Sequence, residues 1–205
     1  MIRVVDYGLG NVQAFLNVYK RVGIPAERAS VAADLDGARH VILPGVGSFD
    51  HAMERFSASG MRDPLEKLVA NGDARILGIC VGMQMLADSS DEGKLPGLGW
   101  VPGRVKRFHN EPSMQSLPMP HMGWNDVAPA QACGGLFEPD ERGLRFYFLH
   151  SYYFDCADAS HAIAHTRYGI SFDCAVRSGQ VYGVQFHPEK SHGWGVGLLK
   201  NFASL

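Results

Sequence analysis

Apolar residues in the first half of the chain fall into short aliphatic runs. Ile2–Val5, His40–Leu43 and Ile76–Ile79 are bounded by polar or glycine-bearing segments, the pattern of strands buried on both faces. Between these runs the apolar positions recur at helical spacing. Val12, Phe15, Leu16 and Tyr19 predict an amphipathic helix with Asn11 placed to cap it. Asp63, Pro64 and Glu66 read as the cap, first and third positions of another helix. Its buried face is Leu65, Leu68 and Val69, and Asn71-Gly72 ends it. Met83, Leu86 and Ala87 repeat the helical spacing after the Ile76–Ile79 run. Strands alternating with helices predict a parallel sheet with helices on both faces.

Beyond Leu86 the pattern changes. Residues 88–99 are polar and glycine-rich and predict a surface loop, and Trp100-Val101 and Val105–Phe108 predict short strands. Pro112, Pro118 and Pro120 make residues 109–121 a loop. From Arg145 the pattern is nearly all strand: Arg145–Leu149, Ala162–Thr166, Phe172–Arg177 and Val181–Phe186. Helical spacing returns at Val196, Leu199 and Phe202. The expectation is an α/β first half, a β-rich second half and a closing helix, in one domain over residues 1–205.

Composition narrows the function. A chain of 205 residues, 46% hydrophobic and 20% charged, is long enough for a sizeable core. The net charge of −2 leaves no electrostatic footprint for nucleic acid or an anionic membrane. No apolar run approaches the ~20 residues of a membrane span. The chain opens on a strand rather than a signal peptide, so a cytoplasmic protein is expected. Cys80, Cys133, Cys156 and Cys174 are widely spaced without a C-x-x-C pair, which argues for free thiols. His161 and His165 are four apart in a strand-like setting, so no metal site is expected, and no cofactor. Gly8-x-Gly10 lacks the third glycine of a dinucleotide fingerprint, Gln13 standing in its place.

Three segments carry chemistry. Gly78-Ile79-Cys80-Val81-Gly82 sits where a strand meets a helical pattern, the thiol form of a nucleophile elbow. Such a turn would lift the sulfur out of the sheet to a helix N-terminus, where the dipole favours thiolate. A buried structural cysteine between strand-ending glycines is the competing reading. His187-Pro188-Glu189 follows a late strand, and residues two apart on extended backbone face the same side. One segment thereby offers a base and a carboxylate to orient it. Pro44-Gly45-Val46-Gly47-Ser48 ends another strand in a loop whose N–H groups could face a developing oxyanion.

Together, Leu77–Gln84 and Gly183–Glu189 resemble the nucleophile and histidine–glutamate motifs of the class I (triad-type) glutamine amidotransferases. Pro44–Gly47, Pro120–Asn125, His150-Ser151-Tyr152 and His187–Ser191 are more narrowly similar to the glutaminase subunits of imidazole glycerol phosphate synthases. The resemblance covers essentially the whole chain. It implies a flavodoxin-like three-layer sandwich with a mostly parallel central sheet and extra antiparallel strands in the C-terminal half. It implies hydrolysis of L-glutamine by Cys80, His187 and Glu189. Gly45, Val46, Gly47 and Val81 would serve the oxyanion, and Gln84, Ser151 and Tyr152 the glutamine head group. It also implies a separate (β/α)8-barrel cyclase subunit that takes the ammonia and makes imidazole glycerol phosphate and aminoimidazole carboxamide ribotide. Gly10, Asn11, Trp124, Tyr147 and Lys190 would fall at that interface. For Trp124 and Tyr147 ordinary core packing competes, and for Lys190 a solvated charge. Val81 stands where the family usually has leucine, and residues 91–100 and 109–118 are atypical. These departures leave open a paralogue feeding surface-polysaccharide synthesis. A stand-alone cysteine hydrolase of this fold and a non-catalytic scaffold are the alternatives of other classes.

Overall fold

The computed structural model describes residues 1–112, 116–138 and 143–205. In the first half the chain runs β1 (Ile2–Val5), α1 (Val12–Arg21), β2 (Ala26–Ala29), β3 (His40–Gly45), α2 (Phe49–Ala58), α3 (Arg62–Asn71), β4 (Arg75–Cys80) and α4 (Val81–Gln84). Then come β5 (Ser89–Ser90), β6 (Gly103–Arg107), β7 (His121–Pro129), β8 (Leu144–His150), β9 (Tyr152–Cys156), β10 (Ala162–Tyr168), β11 (Ile170–Ser178), β12 (Val181–Val184) and α5 (His192–Ser204).

Among the described residues one twelve-stranded sheet has the order β2-β1-β3-β4-β12-β11-β10-β7-β8, with β9 joining β6 to β11 and β5 pairing with β6. Its first five members are parallel, and β11, β10, β7 and β8 continue it antiparallel. The fold is thus the α/β arrangement expected, with the antiparallel strands in the C-terminal half. Val41, Ile42 and Leu43 are all fully buried, as are Ile76 and Leu77. Consecutive strand residues face opposite sides, so both faces of the parallel sheet are covered. The helices α1 and α5 meet where the Tyr19 hydroxyl donates to the Leu199 carbonyl at 3.1 Å.

Several boundaries differ from expectation. Helix α3 begins at Arg62 with Met61 at the cap, so Asp63 and Pro64 lie inside the first turn. There a proline costs nothing, because the first N–H groups have no intrahelical partner. Trp100-Val101 is not a strand, and Phe108–Asn110 is a 3-10 turn following β6. Of the loop expected over 109–121, residues 113–115 lie outside the described residues, and His121 already belongs to β7. Strands β2, β5, β7 and β9 and helix α2 were not anticipated, β5 lying within the expected 88–99 surface loop with Ser90 buried against β6.

Parallel alignment has one consequence for function. The loops after β1, β3, β4 and β12 all leave from the same, carboxyl edge of the sheet, where ligands of open α/β sheets bind.

Candidate active site

Cys80 ends β4 with φ 56° and ψ −115°, a left-handed backbone that side-chain-bearing residues seldom adopt. The surrounding glycines explain how the turn is tolerated. A Cβ on Gly78 would lie 2.6 Å from the Gly82 carbonyl oxygen, and one on Gly82 would overlap the Leu43 carbonyl. Gly45 on β3 is as constrained, since its Cβ would run into the Gly82 amide. Backbone presses on backbone on both sides of the nucleophile turn. The helix after it has only four residues, Val81–Gln84, so the expected helix terminus at the sulfur reduces to a single turn.

His187 and Glu189 follow β12, the parallel neighbour of β4. His187 Nδ1 is 2.8 Å from Glu189 Oε1, and both side chains are buried. Glu189 Oε2 has no partner among the described residues. Burial by itself lowers the His187 pKa, but hydrogen bonds from the ring to Cys80 and Glu189, with their charges, outweigh it and raise the value to about 9. The histidine therefore stands between the thiol and the carboxylate and holds a proton at neutral pH. The turn carrying it is fixed from below by fully buried Ser191. The Ser191 hydroxyl donates to the His187 carbonyl at 2.6 Å and accepts from the Tyr147 N–H at 3.0 Å. The His187 N–H in turn donates to the Tyr147 carbonyl at 2.9 Å.

A cavity of about 300 Å³ opens beside the sulfur, at the small end of small-molecule sites. Val46, Gly47, Cys80, Val81, Gln84, Ser151, Tyr152, His187 and Lys190 all line it. The structure thereby brings together the elbow, the glycine loop, the base and the Ser151-Tyr152 pair. Gly47 has φ +85°, which suits it to the tight turn after β3. Gly45 lies inside β3 against the elbow and does not line the cavity. Glu92, which sequence reasoning missed, is the acidic member of the lining, and its Oε2 accepts from the Phe49 N–H at 2.8 Å. Burial raises its carboxyl pKa, the Phe49 bond lowers it and Asp50 raises it again, with a net upward shift.

The remaining predicted residues ring this site. Gly10, Asn11 and Lys190 line a second crevice of about 70 Å³ together with His187 and Glu189, and the Asn11 side chain caps α1 at 3.2 Å from the Ala14 N–H. Trp124 is 40% exposed, stacked on His192 at 5.3 Å and edge-on to Tyr147 at 6.3 Å. Core packing is thereby ruled out for Trp124. Lys190 is exposed, with its ammonium 5.9 Å from the Tyr147 ring centroid, so the solvated charge stands beside the interface reading. Trp124, Tyr147 and Lys190 thus run in contact from the surface to the cavity. Beside them Met122 is 64% and Leu149 37% exposed, on the paired strands β7 and β8. All four cysteines are free thiols. Among the described residues no cluster of histidine, cysteine and acidic side chains could hold a metal ion, and no helix is long and apolar enough to cross a membrane.

The family model "Glutamine amidotransferase class-I" matches residues 3–204. The imidazole glycerol phosphate synthase subunit HisH of Bdellovibrio bacteriovorus is 58% identical over 205 residues, covering all of both chains. Its namesake in Leptospira interrogans is 47% identical over 205 residues, again with both chains fully covered. Among solved structures, a glutamine amidotransferase superposes with a TM-score of 0.75 at 21% identity, covering 100% of this chain and 99% of the other. Another glutamine amidotransferase, from Thermotoga maritima, gives 0.62 at 16% identity, covering 92% of this chain and 75% of the other. At such identities the structural likeness speaks for the fold.

Proposed function

The chain belongs to the class-I glutamine amidotransferases, and on that premise we propose that it is the glutaminase subunit of an imidazole glycerol phosphate synthase in histidine biosynthesis. The observation that carries the reading is the buried histidine held between a thiol on a strained elbow and a carboxylate, beside a cavity of amino-acid size.

Each residue then has a chemical role. Cys80 attacks the side-chain amide carbon of L-glutamine as a thiolate and forms a γ-glutamyl thioester. His187, protonated in the resting pair, gives its proton to the departing ammonia and then activates the water that releases glutamate. Glu189 fixes the ring through Nδ1 and offsets its charge. The oxyanion is received by N–H groups of the Val46–Gly47 loop and of Val81, each worth ~2.7–4 kcal/mol in comparable sites. Gln84, Ser151 and Tyr152 hold the head group. Glu92, half-buried and the acidic side chain of the cavity lining, is the partner for the substrate's α-ammonium.

Ammonia is consumed by a cyclase subunit on a separate chain, read here as a (β/α)8 barrel in a heterodimer. It docks on the carboxyl-edge surface that carries Gly10, Asn11, Met122, Trp124, Tyr147 and Lys190. An exposed aromatic flanked by methionine and leucine, next to the catalytic sulfur, has the composition of an interface core. The enzyme works in the cytoplasm, where its four thiols stay reduced.

Glutamate release by the chain alone and with its cyclase partner and nucleotide substrate tests this. Expected are low activity alone and a large rise in the complex. Cys80→Ala should abolish the glutamine-dependent product while sparing product made from an ammonium salt. Equal activity in isolation would sink the subunit reading in favour of a stand-alone hydrolase. Loss of both products would make Cys80 structural.

A further inference from the structure

A chain of side-chain hydrogen bonds runs from β7 to the catalytic sulfur, and its polarity can be worked out from one end. The Asn125 amide is oriented by two backbone contacts: Oδ1 accepts from the Asp126 N–H at 2.9 Å, and Nδ2 donates to the Arg167 carbonyl at 2.9 Å. Nδ2 is therefore the atom 3.2 Å from His121 Nε2, which must accept. A neutral ring accepting at Nε2 carries its proton on Nδ1. That Nδ1 lies 2.9 Å from His150 Nε2, which accepts in turn, leaving the His150 proton on Nδ1. His150 Nδ1 is 2.7 Å from the Tyr152 carbonyl oxygen and donates to it. The same oxygen accepts from Gln84 Nε2 at 3.3 Å, and Gln84 Nε2 also donates to Gln185 Oε1 at 2.9 Å. The Gln185 amide nitrogen is left to face Cys80 Sγ at 3.7 Å. Every donor in this series meets one acceptor only if both imidazoles are neutral and both protons sit on Nδ1.

Resting on the glutaminase reading, we propose that His121 and His150 are positioning residues: a pair of neutral Nδ1–H imidazoles that fixes the Tyr152 carbonyl in the glutamine cavity and, through Gln84 and Gln185, the Cys80 sulfur. The surroundings hold the pair in that state. His121 is stacked between Tyr168 at 4.2 Å and Phe148 at 4.8 Å, and Phe108 and Phe172 flank His150 at 5.3 Å. Burial lowers both pKa values, to about 4 for His121 and about 3 for His150. A proton added to either ring would set two N–H groups against each other with no acceptor. The array is specific because it is buried: His121, His150, Gln84 and Gln185 all lie below the surface, where an unmatched donor is costly.

Nitrogen-15 NMR of the full chain reads the tautomers directly, and both rings should be in the Nδ1–H form near neutral pH. Steady-state kinetics of the complex with the cyclase subunit reads the consequence. His121→Phe keeps the aromatic stack and removes the donor, and the glutamine KM should rise about tenfold with kcat within about threefold. His121→Asn loses the stack but restores an N–H near the Nδ1 position, and its KM should return to within about threefold of wild type. A merely structural role for the ring predicts the reverse ranking. A wild-type complex without glutaminase activity overturns the functional reading. An active complex with either ring in the Nε2–H form, or with His121→Phe and His121→Asn alike in KM, overturns this inference alone.

Discussion

The two walls of the glutamine cavity are built on different principles. On the wall formed by β3, β4 and β12, main chain touches main chain: Gly45, Gly78 and Gly82 admit no Cβ, and Cys80 is forced into a left-handed backbone. On the β7–β8 wall, side chains do the positioning. Inward-facing His121 and His150 sit in a polar array, while outward-facing Met122, Trp124 and Leu149 are left to solvent. A nucleophile needs one geometry throughout, and backbone contacts at van der Waals limits hold it there. The wall proposed to meet a partner keeps one face exposed and is tied to the cavity by hydrogen bonds, which can be re-formed if that face is covered.

The largest effect that could break this contrast comes from filling the glycine seam. Gly82→Ala on α4 puts a methyl group into the Leu43 carbonyl of β3, which cannot retreat without losing its ladder to β4. Destabilisation of about 3 kcal/mol and a more than hundredfold loss of kcat/KM are expected, from denaturant midpoints and glutamate release. Gly197→Ala is the control. Its Cβ meets nothing within 4 Å on α5, and it should leave activity unchanged and stability equal or raised by up to ~1 kcal/mol. A fully active Gly82→Ala enzyme would show that the seam is not what sets the sulfur.

The next effect separates the charge relay from the scaffold. Because the His187 pKa is raised from its ordinary 6.5 to about 9, the protonated ring proposed to assist ammonia departure is present at neutral pH and lost as pH rises through about 9. The linked stability has the same sign, being fully present below 6.5 and fading towards pH 9. Glu189→Gln removes one of the two groups that raise the value. The alkaline limb of kcat/KM should move to lower pH, with a drop of about a hundredfold at neutral pH. An unmoved limb would mean that Cys80 alone holds the proton on His187.

Sequence patterns betray what is local. Strands β1, β3 and β4 were legible because burial on both faces leaves unbroken aliphatic runs, and the grouping of Cys80, His187 and Glu189 because they lie in two short motifs. Helix α2 escaped although Phe49, Ala52, Met53 and Phe56 have helical spacing; it starts directly behind the Pro44–Ser48 loop, which drew the reading. Strand β2 is an edge strand of sequence AERA and carries almost no hydrophobic signal. Strand β7 buries a histidine where the alternation rule looks for an aliphatic residue, and so reads as loop. The side-chain array was invisible for another reason. Its links join residues 29, 101 and 105 apart in sequence, and no local pattern encodes such pairings. Glu92 likewise owes its place in the cavity to β5 and α2 rather than to any motif around it.

The smallest effect bears on the open face of the β7–β8 wall. Trp124 is half in contact with His192 and Tyr147 and otherwise exposed, so its removal takes little from the isolated fold. Trp124→Ala should change the unfolding free energy by about 1 kcal/mol or less. If this face receives the cyclase, the same substitution removes an aromatic anchor, and the dissociation constant should rise about ten- to thirtyfold by titration calorimetry. The Trp124–Tyr147–Lys190 contact also reaches the cavity, so a modest loss of partner-stimulated glutaminase should persist at saturating cyclase. The two readouts divide the wall's duties. A weakened complex that is fully active once saturated makes Trp124 an anchor only, and unaltered binding moves the docking surface off β7 altogether.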